Sequence, residues 1–159
     1  MNQGDVQLRL EIEALNAAYA HCIDDDQIER WPEFFVESCE YQVIPRENAD
    51  AGLPAAIIYC DSRGMLIDRV VALRKANIYP RHYSRHLLGG TLITGVSADA
   101  ITSQTSYAVL QTRLDGETRV YNAGKYVDEM VRIDGALRLR RRHCIFDTHR
   151  IETLMATPI

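Results

Sequence analysis

Residues 100–148 have the sequence AITSQTSYAVLQTRLDGETRVYNAGKYVDEMVRIDGALRLRRRHCIFDT. Long runs rich in β-branched and aromatic residues are separated here by two Asp-Gly pairs, at Asp115-Gly116 and Asp134-Gly135. An Asp-Gly pair between alternating runs is a strong hairpin signal, because these residues tolerate the positive φ of a tight turn. The pattern predicts three consecutive antiparallel strands, near residues 100–114, 118–133 and 136–148.

Helices are predicted in the first half of the chain. Apolar residues recur at three- and four-residue spacing over residues 5–24, which is typical of an amphipathic helix. A short second helical segment, interrupted by Pro32, is expected to bring Trp31 and Phe35 to one face. A third helix is expected over residues 64–77, with Asp61 or Ser62 as its N-cap. The other elements expected are strands at 39–45, 55–60 and 85–96, and a loop at 46–54.

The order of these elements predicts the fold class. Helices come first and a meander of strands follows, which indicates an α+β domain with the N-terminal helices packed in a curved antiparallel sheet. This is the cystatin-like, ketosteroid-isomerase-like cone, which scytalone dehydratase and nuclear transport factor share. The length of 159 residues suits one domain, so we expect a single domain over residues 1–159.

Composition bounds the possible partners and the compartment. The formal net charge of −4 provides no overall cationic surplus, which argues against nucleic acid and anionic membranes as partners. No apolar run approaches the roughly 20 residues of a membrane span, and the first residues do not resemble a signal peptide. The four cysteines are widely spaced, so we expect buried, reduced thiols in a cytoplasmic protein.

Two histidines at four-residue spacing, His82 and His86, are the most suggestive chemical cluster, with Arg81 and Arg85 beside them. On a helix this spacing would place both imidazoles on one face, as some metal sites do. The segment follows Pro80 and opens a predicted strand, however, and no third ligand stands at a telling distance. A structural or subunit-interface role is therefore favoured over a metal site or acid–base catalysis, and no metal ligand is assigned.

Carboxylates and tyrosines could serve acid–base chemistry inside a cone. Asp24 belongs to an acidic trio between two helices, where helix capping is the favoured role, and it is the member best suited to burial. Tyr41 lies on a predicted strand, where packing with a satisfied hydroxyl is the commoner role. Asp24, Tyr41 and His86 are the candidate catalytic groups if the chain is an enzyme in its own right.

A basic run occupies the last predicted strand. Strand alternation places Arg138, Arg140 and Arg142 on one side. This side is either a solvated face or a charged contact with another subunit, where arginine is enriched. The sequence contains no Cys-x-His … Cys-x-x-His pattern for a Rieske cluster, no evident pairing of two histidines with a carboxylate, and no glycine-rich nucleotide loop.

Several stretches resemble the β subunits of bacterial aromatic-ring-hydroxylating dioxygenases. The most specific runs from Asp61-Ser-Arg-Gly-Met-Leu-Ile-Asp-Arg to Val70 and continues to Leu73-Arg74. The others lie before and after it, and their order spans nearly the whole chain. They are Ile23-Asp24 with Trp31, Phe34-Phe35, Cys39 and Tyr41; Ile44 to Asn48 leading to Gly52 to Ala56; Arg85-His86; and Thr153 to Ile159.

The resemblance implies a non-catalytic subunit of an oxidoreductase. It implies the cone fold and a heterohexamer of three α and three β chains, in which a β trimer holds the large α subunits in register. The Rieske [2Fe-2S] cluster and the mononuclear Fe(II) are then expected in α, and no cofactor in this chain. The pattern is most similar to subunits of enzymes acting on aromatic acids such as terephthalate, anthranilate, salicylate or benzoate.

The interface residues are a separate prediction, which the resemblance does not supply. We expect charged contacts from two places, the segment after the third helix and the last strand: Arg81, His82, Arg85, His86, Arg138, Arg140 and Arg142. The alternatives to a β subunit are a stand-alone isomerase or dehydratase of the same fold and a small-ligand-binding protein with an open apolar cavity.

Overall fold

A computed structural model describes residues 3–77, 81–148 and 155–159. A long helix comes first, and a single 3₁₀ segment leads from it into the sheet. Ser62 accepts a hydrogen bond from the Met65 backbone at 3.3 Å, so the predicted cap of the third helix is confirmed at Ser62. The helices are α1 (Gln3–Asp24), a 3₁₀ helix (Ile28–Phe34), α2 (Arg46–Asp50) and α3 (Arg63–Ala76).

Within the described residues, six strands form one sheet in the spatial order β2-β1-β6-β5-β4-β3. The sheet is mixed, because β1 runs parallel to β6 while the other neighbours are antiparallel. The expectation of a purely antiparallel sheet was therefore wrong at this one junction. The strands are β1 (Phe35–Pro45), β2 (Ile58–Cys60), β3 (His82–Val96), β4 (Ile101–Arg113), β5 (Thr118–Ile133) and β6 (Ala136–Phe146).

The two Asp-Gly pairs form the turns that the sequence predicts. Gly116 has φ of 89° between β4 and β5, and Gly135 has φ of 81° between β5 and β6. Asp134 also has a positive φ, of 49°, as a two-residue type I′ hairpin requires at both central positions. The meander from β3 to β6 is therefore defined by local turn chemistry.

Bulges and one close approach curve this sheet. The register of β3 against β4 shifts between Leu88 and Thr91, at Gly89-Gly90. At Gly124 an added Cβ would lie 2.0 Å from the Ile145 carbonyl oxygen, so the backbones of β5 and β6 approach there as no larger residue would allow.

The inner face of the sheet packs against the helices. Helix α1 contacts β3 and β6, and α3 contacts β1. Three aromatic side chains form the junction between the 3₁₀ helix and β1: the Trp31 ring lies 5.0 Å from Tyr41 and 5.8 Å from Phe35, both edge-on. Edge-to-face aromatic packing contributes about 0.5–1.5 kcal/mol per pair beyond area burial, so these contacts stabilise the 3₁₀ helix against β1.

Two local expectations differ from the structure. Residues 46–50, predicted as a loop, form the one-turn helix α2 directly after Pro45, which serves as its N-cap. Strand β1 starts at Phe35, four residues earlier than predicted, so Phe35 belongs to the sheet and not to the second helix.

The four cysteines are free and buried, as expected. None of the helices in the described ranges is long and apolar enough to cross a membrane.

Candidate functional site

The interior of the cone is built around a buried ion pair on β5 and β6. Arg142 is 0% exposed, and its guanidinium donates to both Asp128 carboxylate oxygens, at 2.9 and 2.7 Å. It also donates to the side-chain oxygen of Asn16 on α1. Its Cζ lies 4.2 Å from the ring centroid of Tyr19 and 4.1 Å from that of Tyr126, so the cation is stacked between two aromatic faces.

Burial alone would disfavour the charge of Arg142. The Asp128 carboxylate outweighs that effect and raises the pKa of Arg142 well above its ordinary value, so Arg142 stays charged. A buried pair of this kind is strongly destabilising when one partner is removed, since the other charge is left uncompensated. This cluster therefore serves structure, in the buried interior of the cone.

The segment 155–159 closes the rest of the interior. The backbone oxygen of Ile159 accepts hydrogen bonds from the hydroxyls of Tyr19 at 2.8 Å and Tyr41 at 2.9 Å. The Ile159 backbone N–H donates in turn to the Tyr41 oxygen at 3.0 Å. Burial raises the pKa of Tyr41 well above that of a free phenol and the pKa of the nearby Cys144 thiol to about 12. Both groups are therefore neutral at physiological pH, and neither is an activated nucleophile.

Asp24 and His86 form a second buried pair. The His86 backbone N–H donates to one Asp24 carboxylate oxygen at 2.8 Å, and His86 Nδ1 lies 2.6 Å from the other. The Asp24 side chain is 2% exposed and the His86 side chain is 0% exposed. His86 Nε2 is buried and has no hydrogen-bond partner within residues 3–77, 81–148 and 155–159. The pair attaches the end of α1 to the edge strand β3, and neither residue lines any of the three best-defined cavities among the described residues.

The three candidate catalytic residues are therefore not brought into one active site. Asp24 and His86 meet, as an acid–base dyad would, but Tyr41 is engaged by Ile159. The capping role favoured for Asp24 is wrong, because its carboxylate binds His86. The neighbouring Asp26 does not cap a helix either: it has φ of 57° and pairs with Arg74 at 2.8 Å.

The predicted interface residues lie in different environments. Arg81 is well exposed and pairs with Asp26 at 3.2 Å, while Arg85 is exposed on β3. His82 is partly exposed on the inner face of β3, with its ring 6.3 Å from that of Tyr121. The side chain of His86 is buried, so the prediction that it contacts another subunit is corrected.

On β6, Arg138 and Arg140 are partly exposed, and Arg140 donates to Glu129 at 2.5 Å. Arg142 was predicted on their side of the strand, and this is wrong. The pairing of β5 with β6 shifts between Glu129 and Met130, opposite Arg140, which inserts one extra residue. Arg142 is thereby turned to the core and has no exposed surface for a second subunit.

Strand β3 carries a row of exposed apolar residues that the sequence analysis did not predict. This β3 apolar row consists of Tyr83, Leu87, Leu92 and Val96, all exposed. Strand β3 is 15 residues long and lies at the edge of the sheet. The alternation of apolar and polar residues over 82–88 indicates two different strand faces, but it does not indicate which face is buried.

Metal ligation has little support within the described ranges. No group of three or more His, Cys, Asp and Glu side chains there could hold a metal ion. His82 and His86 both lie on the inner face of β3, and four residues of strand separate their Cα atoms by roughly 13 Å. That spacing is too wide for the two imidazoles to bind one metal ion.

Comparison with known proteins identifies the family. Residues 18–153 match the model described as ring hydroxylating beta subunit. This chain belongs to that family. It is thus a β subunit of an aromatic-ring-hydroxylating dioxygenase, which is part of an oxidoreductase complex and has a large α subunit as its partner.

Two sequence relatives of this β subunit cover nearly its full length. The anthranilate 1,2-dioxygenase small subunit of Burkholderia cepacia is 46% identical over 155 residues, covering 98% of this chain and 96% of that protein. The terephthalate 1,2-dioxygenase terminal oxygenase component subunit beta 2 of Comamonas sp is 45% identical over 150 residues, covering 94% and 97%.

Solved structures confirm the cone. A chain assigned as the beta subunit of an aromatic-ring-hydroxylating dioxygenase from Novosphingobium aromaticivorans aligns with a TM-score of 0.91 and 57% identity, covering 99% of this chain and 100% of that chain. A chain assigned as a scytalone dehydratase from the same organism aligns with a TM-score of 0.75 at 17% identity, covering 99% and 95%. The second likeness concerns the fold alone.

Proposed function

We propose that this β subunit has no reaction of its own and acts by assembling its large subunit into a cytoplasmic α3β3 complex. One domain over residues 1–159 would form a trimeric base of three copies. The Rieske [2Fe-2S] cluster and the mononuclear Fe(II) would belong to the large subunit. The substrate of the complex would be an aromatic acid, as the names of the anthranilate and terephthalate relatives suggest.

The filled interior is the observation that carries this proposal. A cone enzyme needs a substrate-sized cavity next to its acid–base groups. Here Arg142 and Asp128 occupy the centre, and Ile159 covers Tyr19 and Tyr41. The buried Asp24–His86 pair lines none of the three best-defined cavities of the described residues. A reaction inside this chain would require several of these hydrogen bonds to break first.

The β3 apolar row supports an assembly role from the outside. An edge strand exposes backbone N–H and C=O groups, and monomeric proteins usually protect such edges. The β3 apolar row adds side chains of the kind that permanent interfaces bury. Arg85 lies between Tyr83 and Leu87 on the same strand and would add a charged contact. We propose that the row contacts a neighbouring subunit, with Arg81, His82, Arg138 and Arg140 as further candidate contacts.

Co-expression with the large subunit tests this assignment. Leu87→Glu places a charge in the middle of the β3 apolar row, where Leu87 is 53% exposed. Because a buried, unpaired charge in an interface is costly, we expect the co-purified complex to lose mass in native mass spectrometry, to below the hexamer. Leu10→Glu on α1 is the matched control, since Leu10 is 55% exposed and lies outside the row.

The control should give a complex of wild-type mass, with wild-type iron content and turnover of anthranilate or terephthalate. The folded state of both variants is checked by circular dichroism. A Leu87→Glu complex of full mass would refute the placement of the interface on β3. Turnover or iron binding by the wild-type β chain alone would refute the non-catalytic role.

A further inference from the structure

A cavity lies at the open end of the cone, and two of its lining residues, Arg81 and His82, are also candidate subunit contacts. It has a volume of about 270 Å³ and lies where three neighbouring strands of the meander end. His82 and Ser84 of β3, Gln111 and Arg113 of β4, and Arg119 of β5 line one side of it. The opposite side is formed by Asn77, just after α3, and by the segment 156–159.

Two polar groups of β4 are available for a ligand. Gln111 is only 6% exposed and lines the cavity, and its side chain forms no hydrogen bond to a described residue. Its amide nitrogen and oxygen are not sealed off from solvent, so they can bind a ligand in the cavity. Arg113 lines the same cavity two residues further along β4 and forms no ion pair with the described residues.

The charge around the cavity favours an anion. Arg81 and Arg119 also line it, although each is held by an acidic residue, Asp26 for Arg81 and Glu117 for Arg119, both at 3.2 Å. One acidic residue, Asp115, lines the cavity as well, and it accepts a hydrogen bond from the Glu117 backbone at 3.0 Å.

Because Asp26 and Glu117 already pair with Arg81 and Arg119, Arg113 is the lining guanidinium that has no acidic partner among the described residues and could hold an anion. An arginine fork matches a carboxylate or phosphate with two parallel hydrogen bonds.

The apolar part of the cavity lining favours a ligand with a flat apolar ring. Leu114, the Tyr121 ring, Pro158 and Ile159 supply apolar surface. A volume of about 270 Å³ lies just below the range of roughly 300–1,000 Å³ typical of sites for larger ligands. One aromatic ring with a small substituent fits such a space, whereas a nucleotide does not. Apolar contact would supply affinity, and the polar groups at one side would fix the orientation.

We propose that this cavity binds a small monocyclic aromatic carboxylate, with Arg113 and Gln111 holding the carboxylate and Tyr121 and Pro158 against the ring. The side-chain NH₂ of Gln111 donates to one carboxylate oxygen and the Arg113 guanidinium to the other. All the side chains that would hold the ligand belong to this chain.

Titration of the isolated full-length chain with benzoate tests the proposal. Isothermal calorimetry should show saturable binding, and the ring protons of His82 should shift in NMR spectra because His82 lines the cavity beside Tyr121. Arg113→Gln should weaken binding on the order of tenfold, the usual effect of losing one charged hydrogen-bonding partner. Gln111→Leu should weaken it by a similar factor.

Matched controls separate this site from general anion binding. Arg30→Gln makes the same exchange at an exposed arginine that does not line the cavity, and it should leave benzoate binding unchanged. Benzamide, the neutral isostere, and inorganic phosphate, an anion without a ring, should each bind on the order of tenfold more weakly than benzoate.

Three outcomes would overturn the proposal: no saturable benzoate binding by the folded wild-type chain, equal binding of benzamide or phosphate, or unchanged binding in Arg113→Gln. Arg113 is exposed at the end of β4, so its replacement should not unfold the chain even if Gln111→Leu does. The large subunit is absent from the experiment. Failure here would therefore leave the assembly role untouched, and a failed assembly experiment would leave this site untouched.

Discussion

Arg140 and Arg142 lie two positions apart on β6 and occupy opposite environments. Arg142 is fully buried, paired with Asp128 and stacked between two tyrosines. Arg140 is partly exposed and pairs with Glu129 on the outer face. A regular strand would place both on one face, but the bulge opposite Glu129 separates them. Arg142 thus stabilises the interior, whereas Arg140 is partly exposed and can contact another subunit.

The largest effect is expected from the buried member of this comparison. Arg142→Met removes the charge and leaves Asp128 buried without its partner. Loss of one member of a buried ion pair typically costs about 3–5 kcal/mol. The free energy of unfolding, measured by urea denaturation with circular dichroism, should fall by that amount.

The double variant Arg142→Met/Asp128→Leu is the control, because it removes both charges and leaves none uncompensated. It should recover a large part of the lost stability. If the single Arg142→Met variant unfolds at the same urea concentration as the wild type, the central ion pair does not hold the interior together.

A much smaller effect is expected from the exposed member. Arg140→Gln should change the free energy of unfolding at neutral pH by no more than about 0.5 kcal/mol, as for other solvent-screened pairs. The loss of unfolding free energy in Arg142→Met, measured under the same conditions, should be several times larger than the loss in Arg140→Gln. Equal losses in the two variants would mean that the bulge does not separate the two environments.

The Arg140–Glu129 pair should also change how stability depends on pH. The hydrogen bond from Arg140 holds the pKa of Glu129 below its ordinary value of 4.5. A lowered pKa in the folded state contributes stability above the unfolded pKa, and this contribution is lost as pH falls through the folded pKa. Arg140→Gln should therefore reduce the acid-induced loss of stability below about pH 4.5, as urea midpoints at several pH values would record. An unchanged pH profile would contradict the pairing with Glu129.

Local signals made the meander predictable. Strand β5 was predicted with both ends correct, because Asp-Gly pairs with positive φ stand on either side of it. The cap of α3 was similarly available from Ser62. These features depend on interactions between residues close in sequence, which a single sequence does display.

Long-range features were out of reach for a physical reason. The partner of Asp24 is His86, 62 residues later, and no local pattern distinguishes a buried carboxylate from a capping one. The parallel pairing of β1 with β6 joins distant segments as well. The bulge at Arg140 shifts the alternation of β6 by one residue, so Arg142 was assigned to the wrong face.

The most direct test of the non-catalytic role is the turnover per iron of a complex that contains the His86→Gln β chain. Oxygen consumption is measured with anthranilate or terephthalate on the purified assembled fraction, and iron is determined on the same sample. We predict a turnover per iron equal to that of the wild-type complex, because His86 acts only within the fold of its own chain. A fall on the order of a hundredfold, the usual loss for a catalytic acid or base, would contradict it.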